Sequence, residues 1–320
     1  MRFNPKARLD TRRMGDAGRS GARAGGGGGL PIPGGLAGGG VGGLIILVIV
    51  VGLSMWLGGG LPGGGSSGGG YDDSRMSDTG RYDGCQTGED ANSSTDCARV
   101  AVENSLYDYW SSTLPDQSDA SFRPEQKVET FTGAISTGCG QASADVGPFY
   151  CPSDQTIYLD TTFFEDVLQG QLAGPSGAFV EPYVLAHEYG HHIQNLLGTM
   201  GRVKTQQGPH SDSVKLELQA DCYAGMWARS ATSTEDAQGV VLISDLTQQD
   251  VQQAIDAATA VGDDRIQQQS GRGVDPDSWT HGSSQERVQW FRTGYSSGSL
   301  EAYCAVRPPG RAPTGPFPSN

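Results

Sequence analysis

Residues 184–198 read VLAHEYGHHIQNLLG, and this stretch constrains the fold more than any other part of the chain. Pro182 suits the first turn of a helix and Gly198 suits the position just after its end, so the sequence predicts a helix over residues 182–197. A helix this apolar belongs in a core, where ionisable groups are costly unless they are paired or bind an ion. Its middle nevertheless carries four such side chains, namely His187, Glu188, His191 and His192.

The spacing of these side chains is that of a metal site. His187 and His191 are four residues apart, so both imidazoles leave one face of the helix and can bind one zinc ion at about 2.0–2.1 Å. Glu188 projects beside the pair, where it can reach a water in the fourth zinc position. The pattern is H-E-x-x-H, which indicates a catalytic zinc. His192 lies about 100° around the helix from His191, so we predict a supporting or surface role for it.

A catalytic zinc needs a third protein ligand, and the segment ELQAD at residues 217–221 offers one on a second predicted helix. We predict Glu217 as this ligand. Asp221 follows four residues later on the same face, where it can accept the N–H of a ligating histidine and fix its tautomer. The alternative is a solvated polar face, but the H-E-x-x-H pattern favours the zinc interpretation.

The chain also contains a long apolar segment near its beginning. Residues 36–57 carry no charged side chain and are long enough, as a helix, to cross a bilayer. We predict a transmembrane helix there. A buried core helix is disfavoured by the all-round hydrophobicity, and a cleaved signal peptide by the long preceding arm and the lack of an A-x-A site.

Charge is distributed unevenly about this segment. Residues 1–35 hold seven basic and two acidic side chains, whereas the remainder holds 15 basic and 34 acidic ones. We therefore predict that residues 1–35 are a basic, disordered cytoplasmic arm and that the domain after a single membrane pass is extracytoplasmic. The acidic domain would repel phosphate backbones, so no nucleic acid is expected as a partner.

All six cysteines follow the apolar segment, and their even number suits an oxidising compartment. Six cysteines allow fifteen pairings, which sequence alone does not distinguish. Pairing neighbours in the chain gives one hypothesis, in which the bonds are Cys85 to Cys97, Cys139 to Cys151 and Cys222 to Cys304.

The rest of the chain predicts an α+β fold. Short β-branched and aromatic runs indicate strands at residues 127–131 and 155–160, and helical spacing indicates helices over about 95–113, 212–229 and 248–261, with further helix starts at Thr232 and Ser283. The predicted organisation is a Gly/Ser-rich tether over 58–84, a zinc domain over 85–306 and a Pro-rich disordered tail over 307–320.

At this point the motifs support a resemblance. HEYGHH with ELQAD resembles the gluzincin metallopeptidases, and residues 71–305, including GPFYCPSDQTIYLD and THGSSQERVQWFRTGY, resemble the YpfJ-like neutral zinc metallopeptidase family. The resemblance implies a zincin-like domain, mostly helical with a small sheet. It also implies that His187, His191 and Glu217 bind zinc and that Glu188 is the catalytic glutamate.

Two further roles come from the resemblance. Gluzincins place a histidine or tyrosine over the zinc, which suggests His281 as the donor that stabilises the oxyanion; the alternative is a hydrogen-bonded loop histidine. The strand QTIYLD at residues 155–160 either pairs at an edge with an extended substrate or lies in the core.

The sequence thus predicts a membrane-anchored zinc endopeptidase that hydrolyses protein or peptide with a zinc-activated water and Glu188 as general base. A different class remains open, namely a catalytically silent or partner-activated zinc-binding module of the cell envelope that interacts with peptides. A purely structural zinc site would have no use for Glu188 and more often closes its fourth position with protein. Nothing in the sequence indicates an oligomeric state.

Overall fold

The computed structural model describes residues 1–19, 78–143, 146–271, 273–300 and 304–305. The predicted transmembrane helix at residues 36–57, most of the tether and the tail at 307–320 lie outside these ranges. Within the ranges, no helix is both long enough and apolar enough to cross a bilayer.

Helices make up most of the regular secondary structure in the described residues. They are α1 (Gly88–Ser93), α2 (Thr95–Gln117), α3 (Val180–Leu196), α4 (Asp212–Ser230), α5 (Gln248–Ala260), α6 (Asp263–Gln269) and α7 (Ser284–Ser297). Side-chain caps begin several of them: Ser211 caps α4, and capping boxes begin α5 at Thr247 and α7 at Ser283. These positions agree with the helices expected near residues 212, 248 and 284.

The strands are short. They are β1 (Arg2–Phe3), β2 (Met14–Arg19), β3 (Lys127–Thr132), β4 (Ala134–Thr137), β5 (Gly140–Ser143), β6 (Phe149–Cys151), β7 (Thr156–Asp160) and β8 (Ile243–Asp245). The main sheet has the order β2-β3-β7-β6, in which only β6 is antiparallel to its neighbour. Two small pairs accompany it, the hairpin β4-β5 and the pair β1-β8. The α+β prediction is therefore confirmed.

The strand QTIYLD lies in the core and not at an edge. All but Gln155 of this segment forms β7, which is buried throughout and is paired on one side with β3 and on the other with β6. Of the two alternatives for this strand, the core is therefore confirmed and the free edge is wrong, because β6 occupies the edge position. Alternation of side chains does not reveal which strand of a sheet is outermost.

A second difference concerns Thr232, where a capping box predicted the start of a helix. The chain turns there instead, because the Asp236 carboxylate accepts hydrogen bonds from the backbone N–H groups of Gln238 and Val240, each at 2.8 Å. Asp236 thus offers the backbone a turn in place of a helix. An isolated bridge between Glu235 and Val241 closes the turn.

Residues 1–19 belong to the folded domain. The prediction of a disordered arm over residues 1–35 is wrong for these residues, because β2 pairs with β3 and β1 pairs with β8. Phe3, Ala7 and Met14 are buried in the main core, and so is Tyr82, which shows that the domain includes residues before the expected boundary at Cys85. The cytoplasmic location predicted for the N-terminus and the extracytoplasmic location predicted for the domain stay predictions.

The three disulfides join Cys85 to Cys97, Cys139 to Cys151 and Cys222 to Cys304, which confirms the pairing hypothesis. The second of them ties the turn of the β4-β5 hairpin to β6. The third ties the end of the described chain to α4. Both attachments lie close to the candidate site described next.

Close packing of α3 on α4 sets the distance across that site. A Cβ atom at Gly190 would lie only 3.2 Å from the Cα atom and the carbonyl oxygen of Ala220, so a larger residue at position 190 would force the helices apart. Gly190 lies between the two histidines of the motif, and Ala220 lies three residues after Glu217. The glycine thus lets a side chain from α4 reach the histidines on α3.

Candidate metal centre

Three predicted ligands converge where α3 and α4 meet. The Nε2 atom of His187 lies 3.2 Å from one carboxylate oxygen of Glu217, and the Nε2 atom of His191 lies 3.4 Å from the other. One donor atom from each residue lies within 4.8 Å of the other two, and all three side chains are buried. Of the residues that the structure describes, this is the one group of three or more His, Cys, Asp or Glu side chains so arranged.

Both imidazoles are oriented by hydrogen bonds at their other nitrogen. The Nδ1 atom of His187 lies 2.9 Å from Asp221 Oδ1, and the Nδ1 atom of His191 lies 2.8 Å from Gln194 Oε1. Each acceptor favours a proton on Nδ1, which leaves Nε2 free to bind a metal. Asp221 therefore lies where the sequence predicted it, whereas Gln194 is an addition from the structure.

Gln194 is itself held in one orientation. Its Nε2 group donates to the Leu216 carbonyl at 2.7 Å and to Gln219 Oε1 at 3.0 Å. Gln219 in turn donates to the carbonyl of Cys304, which is disulfide-bonded to α4. Since the amide nitrogen of Gln194 faces these two acceptors, its oxygen faces His191.

Asp221 is fully buried and joins three elements. It accepts hydrogen bonds from Tyr183 Oη at 2.5 Å, from His187, and from Arg287 Nε and Nη2 at 2.8 and 3.1 Å. Burial raises the pKa of Asp221, but the charges of Arg287 and His187 outweigh burial and lower it to about 2. The acceptor for His187 thus stays a carboxylate at any working pH.

Glu188 points into the same cavity without being one of the three converging ligands. Burial raises the pKa of its carboxyl, and the charges of His191 and His187 oppose this only in part. A carboxylate whose pKa is raised toward neutrality is better matched to accepting and returning a proton than an ordinary surface glutamate.

His281 faces the cavity from the loop before α7. Its Nδ1 atom lies 3.2 Å from Asp263 Oδ1, and Asp263 Oδ2 accepts the backbone N–H groups of Thr280, His281 and Gly282 at 2.7–2.9 Å. Burial lowers the pKa of His281, but the charge of Asp263 outweighs burial and raises it. The raised pKa favours the protonated imidazole, in which both ring nitrogens are donors.

The other two histidines stay away from the metal group. His192 is fully buried, with Nδ1 3.0 Å from Tyr150 Oη and Nε2 2.8 Å from the carbonyl of Arg123. The first of these contacts links α3 to Tyr150 on β6. The surface alternative for His192 is therefore wrong. His210 is exposed in a loop.

A cavity of about 230 Å³ opens over the centre. The three candidate ligands, Glu188, His281 and Arg287 lie on its floor and sides. Its other walls, which include the β4-β5 hairpin and the edge strand β6, are mainly apolar, with Val146, Phe149, Phe163, Met200, Val261 and Ile266 among them. A chemically reactive floor beneath apolar walls is typical of a substrate site.

The donor set fits zinc. Two imidazole nitrogens and one carboxylate are the ligands that catalytic zinc sites use, and both imidazoles carry the supporting acceptors that such ligands need. Burial lowers the pKa of His187, but Asp221 and the hydrogen bond to Glu217 raise it to about 10, so a metal must displace a proton to bind. Metal affinity should therefore rise with pH.

Three contributors to the site were missed from the sequence. Gln194 follows His191 by three residues on the same helix, and this spacing was an available signal. Asp263 and Arg287 approach from α6 and α7, and no local pattern connects either residue to His281 or Asp221.

Comparisons with known proteins agree with this geometry. A family model described as "Putative neutral zinc metallopeptidase" matches residues 4–306. Uncharacterized protein Rv2575 of Mycobacterium tuberculosis is 49% identical over 216 residues, or 67% of this chain and 71% of that protein. Uncharacterized protein YpfJ of Escherichia coli is 45% identical over 180 residues, or 54% of this chain and 59% of that protein. No solved structure matches the chain.

Proposed function

This chain belongs to that neutral zinc metallopeptidase family, and on this premise we propose that it hydrolyses peptide bonds at the centre formed by His187, His191 and Glu217. The observation that carries the proposal is the convergence of these three donors beside Glu188, on the floor of a substrate-sized cavity. A structural metal site would have no need of Glu188 or of the cavity.

In this mechanism His187 and His191 would hold zinc through Nε2, and Glu217 would hold it through its carboxylate. Zinc held there would supply Lewis acidity to activate a water and to polarise the peptide carbonyl. Glu188 accepts the proton of the attacking water and delivers it to the departing amine. His281, held by Asp263, donates a hydrogen bond to the carbonyl oxygen as negative charge develops there.

We further propose that an extended substrate pairs with β6, the edge strand beside the cavity. Phe149 and Tyr150 of this strand line the cavity, and His192 and Asn195 hold the Tyr150 hydroxyl from α3, each at 3.0 Å. An edge strand offers backbone groups to an extended peptide, and the apolar walls favour an apolar side chain near the scissile bond.

Export of the domain and attachment to the membrane through residues 36–57 are part of the proposal. Support for export comes from the pairing of all six cysteines, since such bonds persist in oxidising compartments. Support for attachment comes from the uncharged apolar sequence of that segment.

The test compares cleavage of a mixed peptide library by the zinc-loaded full chain, by Glu188→Gln and by a control, Glu89→Gln, which changes an exposed glutamate on α1. We expect cleavage by wild type and the control, and a loss of at least about 10²-fold in Glu188→Gln with unchanged zinc content. Equal cleavage by Glu188→Gln would refute the role of Glu188. Bound zinc without cleavage by any of the three would favour the silent or partner-activated module.

A further inference from the structure

We infer that residues 1–19, called here the N-terminal segment, lie on the same side of the membrane as the zinc domain, because they complete its fold. This inference is independent of peptidase activity. It departs from the expectation of a cytoplasmic N-terminus, which would place the segment and the domain on opposite sides of the bilayer.

Two asparagines of the domain bind the backbone of the segment. Asn92 accepts the N–H of Phe3 at 3.0 Å and donates to the carbonyl of the same residue at 2.9 Å. Asn104 does the same with Asp10, at 2.7 and 2.8 Å. A side-chain amide that satisfies both backbone groups of one residue recognises an extended peptide as a neighbouring strand would.

Strand pairing and burial extend this contact. In β2, Met14 is opposite Val128 and Asp16 is opposite Thr130 of β3, so the segment supplies the outer strand of the main sheet. Phe3, Ala7 and Met14 are each at most 4% exposed. Removing the segment would expose the edge of β3 and the apolar surface beneath these side chains.

Arg13 balances buried negative charge in the domain. Its guanidinium donates to both oxygens of Glu103, at 2.6 and 3.3 Å, and its Nε atom lies 3.8 Å from Glu125. The side chains of both glutamates are 0% exposed. Burial and the neighbouring Glu103 raise the pKa of Glu125. Without Arg13 they would be buried acids deprived of their cation.

Gly88 shows that the domain is shaped to receive the segment. A Cβ atom at this position would lie 1.9 Å from the carbonyl oxygen of Asn4 and 2.8 Å from its carbonyl carbon. Gly88 begins α1, where alanine is otherwise a good residue, so the glycine serves the contact and not the helix.

A single membrane crossing between residues 19 and 78 would forbid all these contacts. The most apolar part of this interval, residues 44–57, is 14 residues long, and apolar runs of about 10–14 residues are more often core helices, interfacial or re-entrant segments, or parts of signal peptides than membrane-crossing helices. Attachment of the chain to a membrane through this part is therefore compatible with both flanks on one side.

The first test is thiol labelling of the full chain in spheroplasts with a membrane-impermeant maleimide. All six native cysteines are paired, so Arg2→Cys and Asp245→Cys each supply one reactive thiol at an exposed position. We expect both positions to react to a similar extent, or neither if export itself fails. Reaction at Asp245→Cys with protection of Arg2→Cys until lysis would overturn the inference.

The second test detects the packing itself. Arg2 and Asp245 are opposite each other in the β1-β8 pair, so the double variant Arg2→Cys/Asp245→Cys should form an intramolecular disulfide in the oxidising compartment, detected by peptide mapping without reduction. Adding Gly88→Ala should lower its yield several-fold, whereas Gly84→Ala should not, because a Cβ at Gly84 would meet nothing within 4 Å. Equal yields with Gly88→Ala and Gly84→Ala would contradict the docked arrangement.

Discussion

The pair formed by Asp221 and Arg287 allows stability and metal binding to be separated by mutation. Both side chains are at most 4% exposed, and Asp221 accepts two hydrogen bonds from Arg287 and one from His187. Asp221→Asn leaves the buried guanidinium without a carboxylate, and breaking a buried ion pair on one side costs about 3–5 kcal/mol. Arg287→Met leaves Asp221 as the buried charge and should cost a similar amount.

The two variants should differ in zinc affinity. In Asp221→Asn, His187 loses its charged acceptor, and loss of such a partner lowers metal affinity about 10–100-fold. In Arg287→Met, the carboxylate stays and no longer shares its charge with a guanidinium, so zinc affinity should be no lower than in wild type.

The assays are urea unfolding of the metal-free full chain, followed by tryptophan fluorescence, and competition for zinc with a chromophoric chelator. The double variant Asp221→Asn/Arg287→Met should be less destabilised than the sum of the single variants by about 1–3 kcal/mol, since the two residues are in contact. The reasoning would be refuted if both single variants lowered zinc affinity equally, or if Asp221→Asn unfolded at the wild-type urea concentration.

Three other outcomes are expected. Burial lowers the pKa of His192 from 6.5 to about 4, so the native state holds this imidazole in its neutral form. Up to about 3 kcal/mol of unfolding free energy is therefore present above pH 6.5 and is lost as the pH falls from 6.5 through 4. In His192→Phe, the unfolding free energy should decrease correspondingly less over that range. Gln194→Leu removes the acceptor for His191 and should weaken zinc binding about 10–100-fold in the chelator assay. His281→Phe should lower kcat by about 10²–10³-fold with zinc content and KM nearly unchanged, and an equal loss through KM alone would contradict its role at the carbonyl oxygen.

Local patterns were enough to predict the parts of the site that lie on single helices. The four-residue spacing of His187 and His191 defines one helix face, and that of Glu217 and Asp221 defines another. The structure brings these faces together as expected. The same kind of signal, the three-residue spacing of Gln194 from His191, was present and went unused.

Contacts between distant segments could not be predicted in this way. Asp263, the first residue of α6, accepts a hydrogen bond from His281 in the loop before α7. Arg287 reaches Asp221 on α4 from α7. Likewise, residues 1–19 are rich in charge and lack a repeating apolar pattern, so composition suggested disorder. Their partners Asn92 and Asn104 lie some 90 residues away in sequence, and only the folded chain shows that these polar side chains bind a backbone.

The sequence also could not predict the position of one strand within its sheet. Residues 155–160 were equally consistent with an edge and with the core, because the same apolar run suits both. Burial of β7 between β3 and β6 decides in favour of the core.

The central claim is that His187, His191 and Glu217 together bind one catalytic zinc ion. Zinc analysis of the full chain, combined with X-ray absorption at the zinc edge, measures this directly. We predict one zinc per chain with only nitrogen and oxygen neighbours at about 2.0–2.2 Å, two of them imidazoles, and loss of this ion in His191→Ala. Sulfur neighbours, or a correctly folded protein that binds no zinc, would contradict the account.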